Sequence, residues 1–417
     1  SLFDPLLAMN VSKVDPLPFQ IEAVYGYVLK QPRIRFLIAD DPGAGKTIMA
    51  GLIIKELKLR RLANRILIVV PGHLKDQWRR ELKEKFDESF MMLDRHTFNA
   101  NYGENPWESR PQIITSIDFA KQSDILGSLR SVEWDLTIVD EAHKMAAYRY
   151  GNKTEMTQRY RLGKVLSKTS NHLLFLTATP HKGDPDNFRL FIDLLVPGFF
   201  ASNQMVEESL QSKDNPLFIR RLKEDLTDFE GKPIFTRRFP KTFKFELSDA
   251  EKDLYNAVTR YVIDQYNKAS ENERSRNVAF ALMVLQRRMA SSTYALLKSL
   301  ERRKQRLEDL LRGQLEERKI PIIPDFEDIE DMEESERWEK EKEWEGLSLA
   351  RDPQELRAEI STLEELIEKA KQVVTSEAEV KLTQLKSAID EGFRRIKEMG
   401  GRRKILIFTE AKDTLEY

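Results

Sequence analysis

The chain has 417 residues, a formal net charge of −1, 33% charged residues and no cysteine. That length suits roughly two to four domains; the near-neutral balance leaves nucleic-acid binding to local patches, and the missing thiols exclude disulfides and thiolate metal sites and fit a reducing, cytoplasmic setting. No stretch approaches the roughly 20 apolar residues of a membrane helix, and the N-terminal segment 1–15 lacks a basic region followed by a long apolar run, so neither a membrane nor a signal peptide is expected.

From Pro18 to Pro197, short apolar runs alternate with helical segments. The runs are Phe36–Ile38, Ile66–Val70, Gln112–Thr115, Leu136–Val139 and Leu173–Leu176, with amphipathic stretches such as Leu74–Phe86 between them. Buried, unalternating strands joined by helical crossovers mean an α/β domain over residues 16–200, a parallel sheet with helices on both faces. Ligands of such sheets bind at the carboxyl ends of the strands. Ala39–Thr47 follows the first run and reads Ala-Asp-Asp-Pro-Gly-Ala-Gly-Lys-Thr; Ile48–Leu57 after it has helical periodicity. Strand, glycine-rich turn and helix start form the context of a phosphate-binding loop. Gly43 and Gly45 let backbone N–H groups point at phosphate oxygens, Lys46 supplies a point charge, and the Thr47 hydroxyl suits Mg²⁺. Asp40 stands where the strict pattern has glycine.

The fourth run ends in Asp140-Glu141-Ala142-His143. We expect its strand beside that of the phosphate loop, with Asp140 holding Mg²⁺, largely through water, and Glu141 orienting and deprotonating the attacking water of ATP hydrolysis. The plain alternative is a pair of acids capping the next helix. A zinc hydrolase is excluded, because no histidine lies four residues from His143. Leu176-Thr177-Ala178-Thr179-Pro180 ends the fifth run, and the hydroxyls of Thr177 and Thr179 are expected to bond His143 and relay the state of the phosphates.

Residues 201–375 read as a helical insertion. Asp249–Asn267 and Val278–Leu311 carry apolar residues at helical spacing, while about 320–352 breaks the pattern with Pro321, Pro324 and an acidic run. Leu356, Ile360, Leu363, Ile367, Ala370 and Val374 repeat as a coiled-coil seam. We expect a hairpin of 279–312 with 354–374, either a structural arm or a docking site for a protein partner. Arg287, Arg288, Arg302 and Arg303 form either a basic arm over a duplex or a solvated helix face. In 376–417 a helix, Lys381–Met399, and a strand-like run, Lys404–Thr409, open a second α/β domain that Tyr417 ends too early to complete a sheet.

These elements, in this order, resemble the superfamily-two helicases, and among them the Swi/Snf-type double-stranded DNA translocases of the prokaryotic branch that includes the bacterial RNA-polymerase-associated translocase. Pro18-Phe19-Gln20 resembles the adenine-reading Q motif, with Gln20 on the base. Asp40–Thr47 (Asp40, Asp41, Pro42, Gly43, Ala44, Gly45, Lys46, Thr47) is similar to motif I, Ile68–Pro71 through Gln77-Trp78 to motif Ia, and Ile114-Thr115-Ser116 to the strand-end motif at the DNA backbone. Asp140–His143 and Leu176–Pro180 look like motifs II and III. Asn215–Asp225 resembles the family's proline-phenylalanine-arginine-arginine segment, and Lys404–Tyr417 resembles motif IV of the second RecA-like domain.

The resemblance implies RecA-like domains, with ATP and Mg²⁺ as cofactors and double-stranded DNA as partner. Pro71, Gln77, Thr115 and Ser116 would grip phosphates without reading sequence, whereas the spacing of Trp78 suits core packing rather than base stacking. The resemblance further implies a cytoplasmic, nucleoid-associated protein. Asp41-Pro42 and Ala44 depart from the usual motif I, no arginine flanks Gln20, and motifs V and VI have no counterpart, so weak ATP binding and little or no hydrolysis are expected of residues 1–417 alone. The alternatives are a strand-separating DNA or RNA helicase and an ATP-gated scaffold with little turnover.

Overall fold

The structure, a computed structural model, describes residues 6–100, 103, 105–150, 153–179, 185–211, 215–236, 239–269, 275–313, 337–341, 353–376 and 379–417. The chain divides into two compact units, Ser1–Arg238 and Phe239–Tyr417.

The first unit is built on a seven-stranded parallel sheet. Its strands are β1 (Arg35–Ile38), β2 (Ile66–Val70), β3 (Met91–Leu93), β4 (Gln112–Ser116), β5 (Trp134–Val139), β8 (Ser170–Leu176) and β9 (Phe218–Ile219); β6 (Tyr148–Tyr150) and β7 (Lys153–Glu155) form a separate antiparallel hairpin. The order across the sheet is β3-β4-β2-β5-β8-β1-β9, and every pairing is parallel. Both faces are covered. Phe36, Ile38, Ile66, Ile68, Val70, Ile138 and Leu176 enter one apolar cluster, while Leu37, Leu67, Val69, Val139, Leu173 and Phe175 enter another. Successive side chains of a strand point to opposite faces, so runs without a polar alternation are what a doubly covered sheet requires.

Helices α1 (Lys46–Leu59) and α2 (Lys75–Phe86) cover the first of these faces. Trp78, Leu82 and Phe86 recur at i, i+4 and i+8 and are the buried residues of α2. A Cβ on Gly51 of α1 would lie 2.2 Å from the Phe86 ring, so α1 and α2 approach closely only because that position carries none.

One expectation about the sheet needs correction. The strand ending in Asp140 does not adjoin the phosphate-loop strand: β8 lies between β5 and β1 and pairs with both, which puts Thr177 within reach of His143. The strands β3 and β9, of three and two residues, are too short for a periodicity to announce.

The second unit is helical: α3 (Asp249–Ala269), α4 (Ser275–Ser291), α5 (Thr293–Leu311), α6 (Pro353–Thr375) and α7 (Val380–Glu398). The continuous helix expected over 278–311 is interrupted at Ser292, whose extended backbone and hydroxyl, accepting from the N–H of Ala295, cap the N-terminus of α5. The expected pairing forms, with α6 against α5, and α3 shares the cluster: Leu254 and Val258 pack with Leu300, Leu307, Leu363 and Ala370. Residues 404–409 form no strand, and Leu406 and Phe408 stand 76% and 85% exposed. A strand needs a ladder partner, and none of the described residues supplies one. Pro321, Pro324 and most of the acidic run lie outside the described residues, where only 337–341 are placed, as helix.

Candidate functional site

The loop after β1 is shaped by left-handed glycines, Gly43 at φ +81° and Gly45 at φ +78°. Other residues are strained there, and α1 begins directly after Gly45. Lys46 donates from Nζ to the carbonyl of Asp40 at 2.9 Å, across the mouth of the loop. Gln20 is buried and spans two partners: its Nε2 donates to the Ala44 carbonyl at 2.9 Å, and its Oε1 accepts from the Leu17 N–H at 2.9 Å. The side chain expected to read a base thus clasps the phosphate loop.

Asp40, where the strict pattern has glycine, is fully buried and carries a guanidinium partner that the motif reading missed. Arg221 meets it in a fork, Nε to Oδ1 at 3.1 Å and Nη2 to Oδ2 at 2.6 Å, and donates from Nη1 to the Phe19 carbonyl at 2.5 Å. Two lines converge here, because β9 pairs with β1 and the N–H of Lys223 donates to Asp41 Oδ2 at 3.1 Å. The ammonium of Lys223 lies 3.3 Å from where a Cβ on Gly43 would stand. The signal for both was present in Asn215–Asp225, but sequence could not say what those cations touch.

At the end of β5, Asp140 is buried, and each carboxylate oxygen has a donor: Oδ1 accepts from the Glu141 N–H at 2.9 Å, Oδ2 from the indole N–H of Trp78 at 3.0 Å. Burial, and next the charge of Glu141, push the Asp140 carboxyl above its usual range, against the Trp78 hydrogen bond and the charge of Lys46. Glu141 has a left-handed backbone, φ +48°, the kind of strain that clusters at functional positions. Its carboxyl is held below the usual range: burial acts to raise it and is outweighed by the His143 hydrogen bond and by the charges of His143, Lys46 and Lys144. His143 Nδ1 is 3.3 Å from Glu141 Oε2 and 2.8 Å from Thr177 Oγ1. Thr177 Oγ1 in turn accepts from the backbone N–H of Thr179 at 3.1 Å. Thr179 therefore enters this chain through its backbone; Pro180 lies outside the described residues.

The residues expected at nucleic acid are placed as follows. Pro71 opens the turn before α2, and Gln77 is exposed with its Nε2 donating to Glu81 Oε1 at 2.8 Å. Thr115 is buried and donates to the Leu93 carbonyl at 2.8 Å, and the Ser116 hydroxyl caps the next helix by accepting from the Phe119 N–H at 3.1 Å. Each hydroxyl thus has a partner within the fold.

The donors fit magnesium. The Thr47 hydroxyl and the Asp140 carboxylate offer hard oxygen donors of the kind that magnesium takes, and among the described residues no group of three or more His, Cys, Asp or Glu side chains could hold a metal ion. Also among the described residues, no helix is long and apolar enough to cross a membrane.

The doubly covered parallel sheet, with a glycine-rich loop and a helix start after one strand and an acid pair after another, is a RecA-like α/β domain. The chain belongs to the SNF2-related family, since the model of the SNF2-related domain matches residues 20–295. It is 32% identical over 298 residues to the uncharacterized ATP-dependent helicase YqhH of Bacillus subtilis (strain 168), covering 69% of this chain and 48% of that one. It is 32% identical over 203 residues to the RNA polymerase-associated protein RapA of Serratia proteamaculans (strain 568), covering 48% and 20%. The chain thus spans less than half the length of these curated relatives. Among solved structures, the SWI2/SNF2 ATPase core of Sulfolobus solfataricus in complex with dsDNA matches with a TM-score of 0.43 and 18% identity, over 70% of this chain and 61% of that chain.

Proposed function

We propose that the protein is a nucleic-acid-dependent ATPase that moves along double-stranded DNA, with ATP and Mg²⁺ bound at the loop after β1. The observation that carries the reading is the chain of contacts Glu141–His143–Thr177, anchored at the ends of β5 and β8 beside a left-handed phosphate loop. Backbone N–H groups of Gly43–Thr47 and the Lys46 ammonium would bind the phosphates, Lys46 exchanging its bond to the Asp40 carbonyl for a phosphate oxygen. The Thr47 hydroxyl and Asp140 would hold Mg²⁺, which when bound neutralises charge on the phosphates. Glu141, kept ionised at neutral pH, would orient the attacking water and take its proton. His143 and Thr177 would pass the presence of the terminal phosphate to β8, and DNA would be gripped through its backbone.

The relatives' names support ATP dependence, and the SNF2-related membership supports a duplex substrate over strand separation. The test is steady-state ATP turnover with duplex DNA, single-stranded DNA and RNA, on this chain and on a longer one carrying a complete second domain. For the longer chain, stimulation by duplex DNA that falls steeply with salt, together with loss of at least about 100-fold of turnover in Glu141→Gln while nucleotide binding persists, is the expected result, with little or no turnover by residues 1–417 alone. Stimulation by single strands alone would make it a strand-separating helicase. Binding without turnover by the longer chain on every nucleic acid would make it an ATP-gated scaffold.

A further inference from the structure

Trp78 is 2% exposed, sits on the buried stripe of α2 and packs with Leu82 and Phe86, as a core residue does. A core residue needs only its ring. This one also spends its single polar atom on the carboxylate of Asp140, Nε1 to Oδ2 at 3.0 Å, with both groups buried.

We propose that Trp78 is a positioning residue for the magnesium carboxylate: its indole N–H, paired with the Glu141 N–H on the other oxygen, fixes the plane in which Asp140 presents itself to the metal. The inference rests on reading Asp140 as the Mg²⁺ ligand. Two donors, one on each oxygen, restrict the rotation of the carboxylate about its last bond, and would leave its remaining lone pairs available to the metal in one orientation. Groups that orient a ligand in this way typically change metal affinity about 10- to 100-fold when removed. The geometry also ties the metal ligand to α2, because Trp78 immediately follows Gln77 in the first turns of that helix. A displacement of that helix start moves the donor on Asp140.

The test is nucleotide affinity, measured with a fluorescent ADP analogue in excess Mg²⁺ and in EDTA, for the parent chain and for Trp78→Phe, which keeps the ring and removes the N–H. The expected result is equal affinity in EDTA and an affinity in Mg²⁺ about tenfold weaker in the variant, with no further loss when Trp78→Phe is combined with Asp140→Asn. An equal gain from Mg²⁺ in parent and variant overturns the proposal, as does an equal loss with and without the ion, which marks mere packing. A parent chain that gains nothing from Mg²⁺ refutes the metal-site reading itself, and with it this inference. A second measurement needs no Trp78 variant to fold. The five tryptophans give five indole N–H signals in a ¹⁵N spectrum, and Asp140→Asn must displace one that Mg²⁺–nucleotide also displaces in the parent; if no signal responds to both, the proposal falls.

Discussion

Asp40 is a departure from the phosphate-loop pattern on paper and a structural post in the fold. Its carboxylate is fully buried, and Arg221 satisfies it with a two-pronged contact while holding the Phe19 carbonyl. Removing one partner of a buried pair leaves an uncompensated charge, so Arg221→Ala should cost about 3 kcal/mol in urea unfolding and weaken nucleotide binding. Arg221→Lys should recover only part of this, since an ammonium cannot make the fork. Single residues also set a pH response. His172 accepts the Ile34 N–H on Nδ1 at 3.0 Å, and burial, helped by Arg33 and Arg35 and opposed by Asp135, lowers its pKa from the ordinary 6.5. The unfolded chain takes up a proton near that ordinary value and the native one only at lower pH. Stability should therefore hold above about pH 7 and decline as pH falls through 6.5 towards the native value. Thermal unfolding at a series of pH values should show a shallower decline in His172→Gln.

At the scale of elements, the sites depend on how tightly α1 and α2 approach. α1 starts from the phosphate loop and α2 brings Trp78 to Asp140, and Gly51 is the point at which Phe86 of α2 presses on α1. A methyl group there must displace a buried aromatic ring, so Gly51→Ala should cost about 1–3 kcal/mol despite its better helix propensity. Differential scanning calorimetry reads the loss, and a stabilised protein would refute the packing argument. The elements themselves were largely legible in the sequence. β2 has the bounds of its apolar run, and β1, β4, β5 and β8 lie within a few residues of theirs, because a doubly buried strand must be continuously apolar. The break at Ser292 was not legible: both flanks keep helical spacing, and only the cap geometry reveals that the backbone leaves the helix there.

At the scale of the whole chain, each unit has its own core, and the helical unit contains a buried polar knot. Arg303, fully buried, donates to the Tyr261 hydroxyl at 2.7 Å and to Glu359 Oε1 at 2.8 Å, and Tyr261 donates to the same Glu359 oxygen at 2.8 Å. It locks α3, α5 and α6 in one register, and it takes Arg303 out of any basic face over a duplex. Arg303→Ala should destabilise this unit by about 3 kcal/mol, seen as an early phase in urea unfolding that leaves the phosphate-loop unit folded; coincident unfolding of both units would refute that independence.

The sequence by itself determined the alternation of strands and helices, the glycine-rich loop after the first strand and the acids at a strand end, because apolar periodicity and turn chemistry are local properties that a few neighbouring residues carry. Only the tertiary structure decided what those groups touch. Arg221 and Asp40 are separated by 181 positions, Trp78 and Asp140 by 62, and Gln20 and the Ala44 carbonyl it holds by 24. Such contacts follow from strand order, above all from β8 lying between β1 and β5. Strand order is set by how helices cover both faces of the sheet at once, a choice that no local run of residues records.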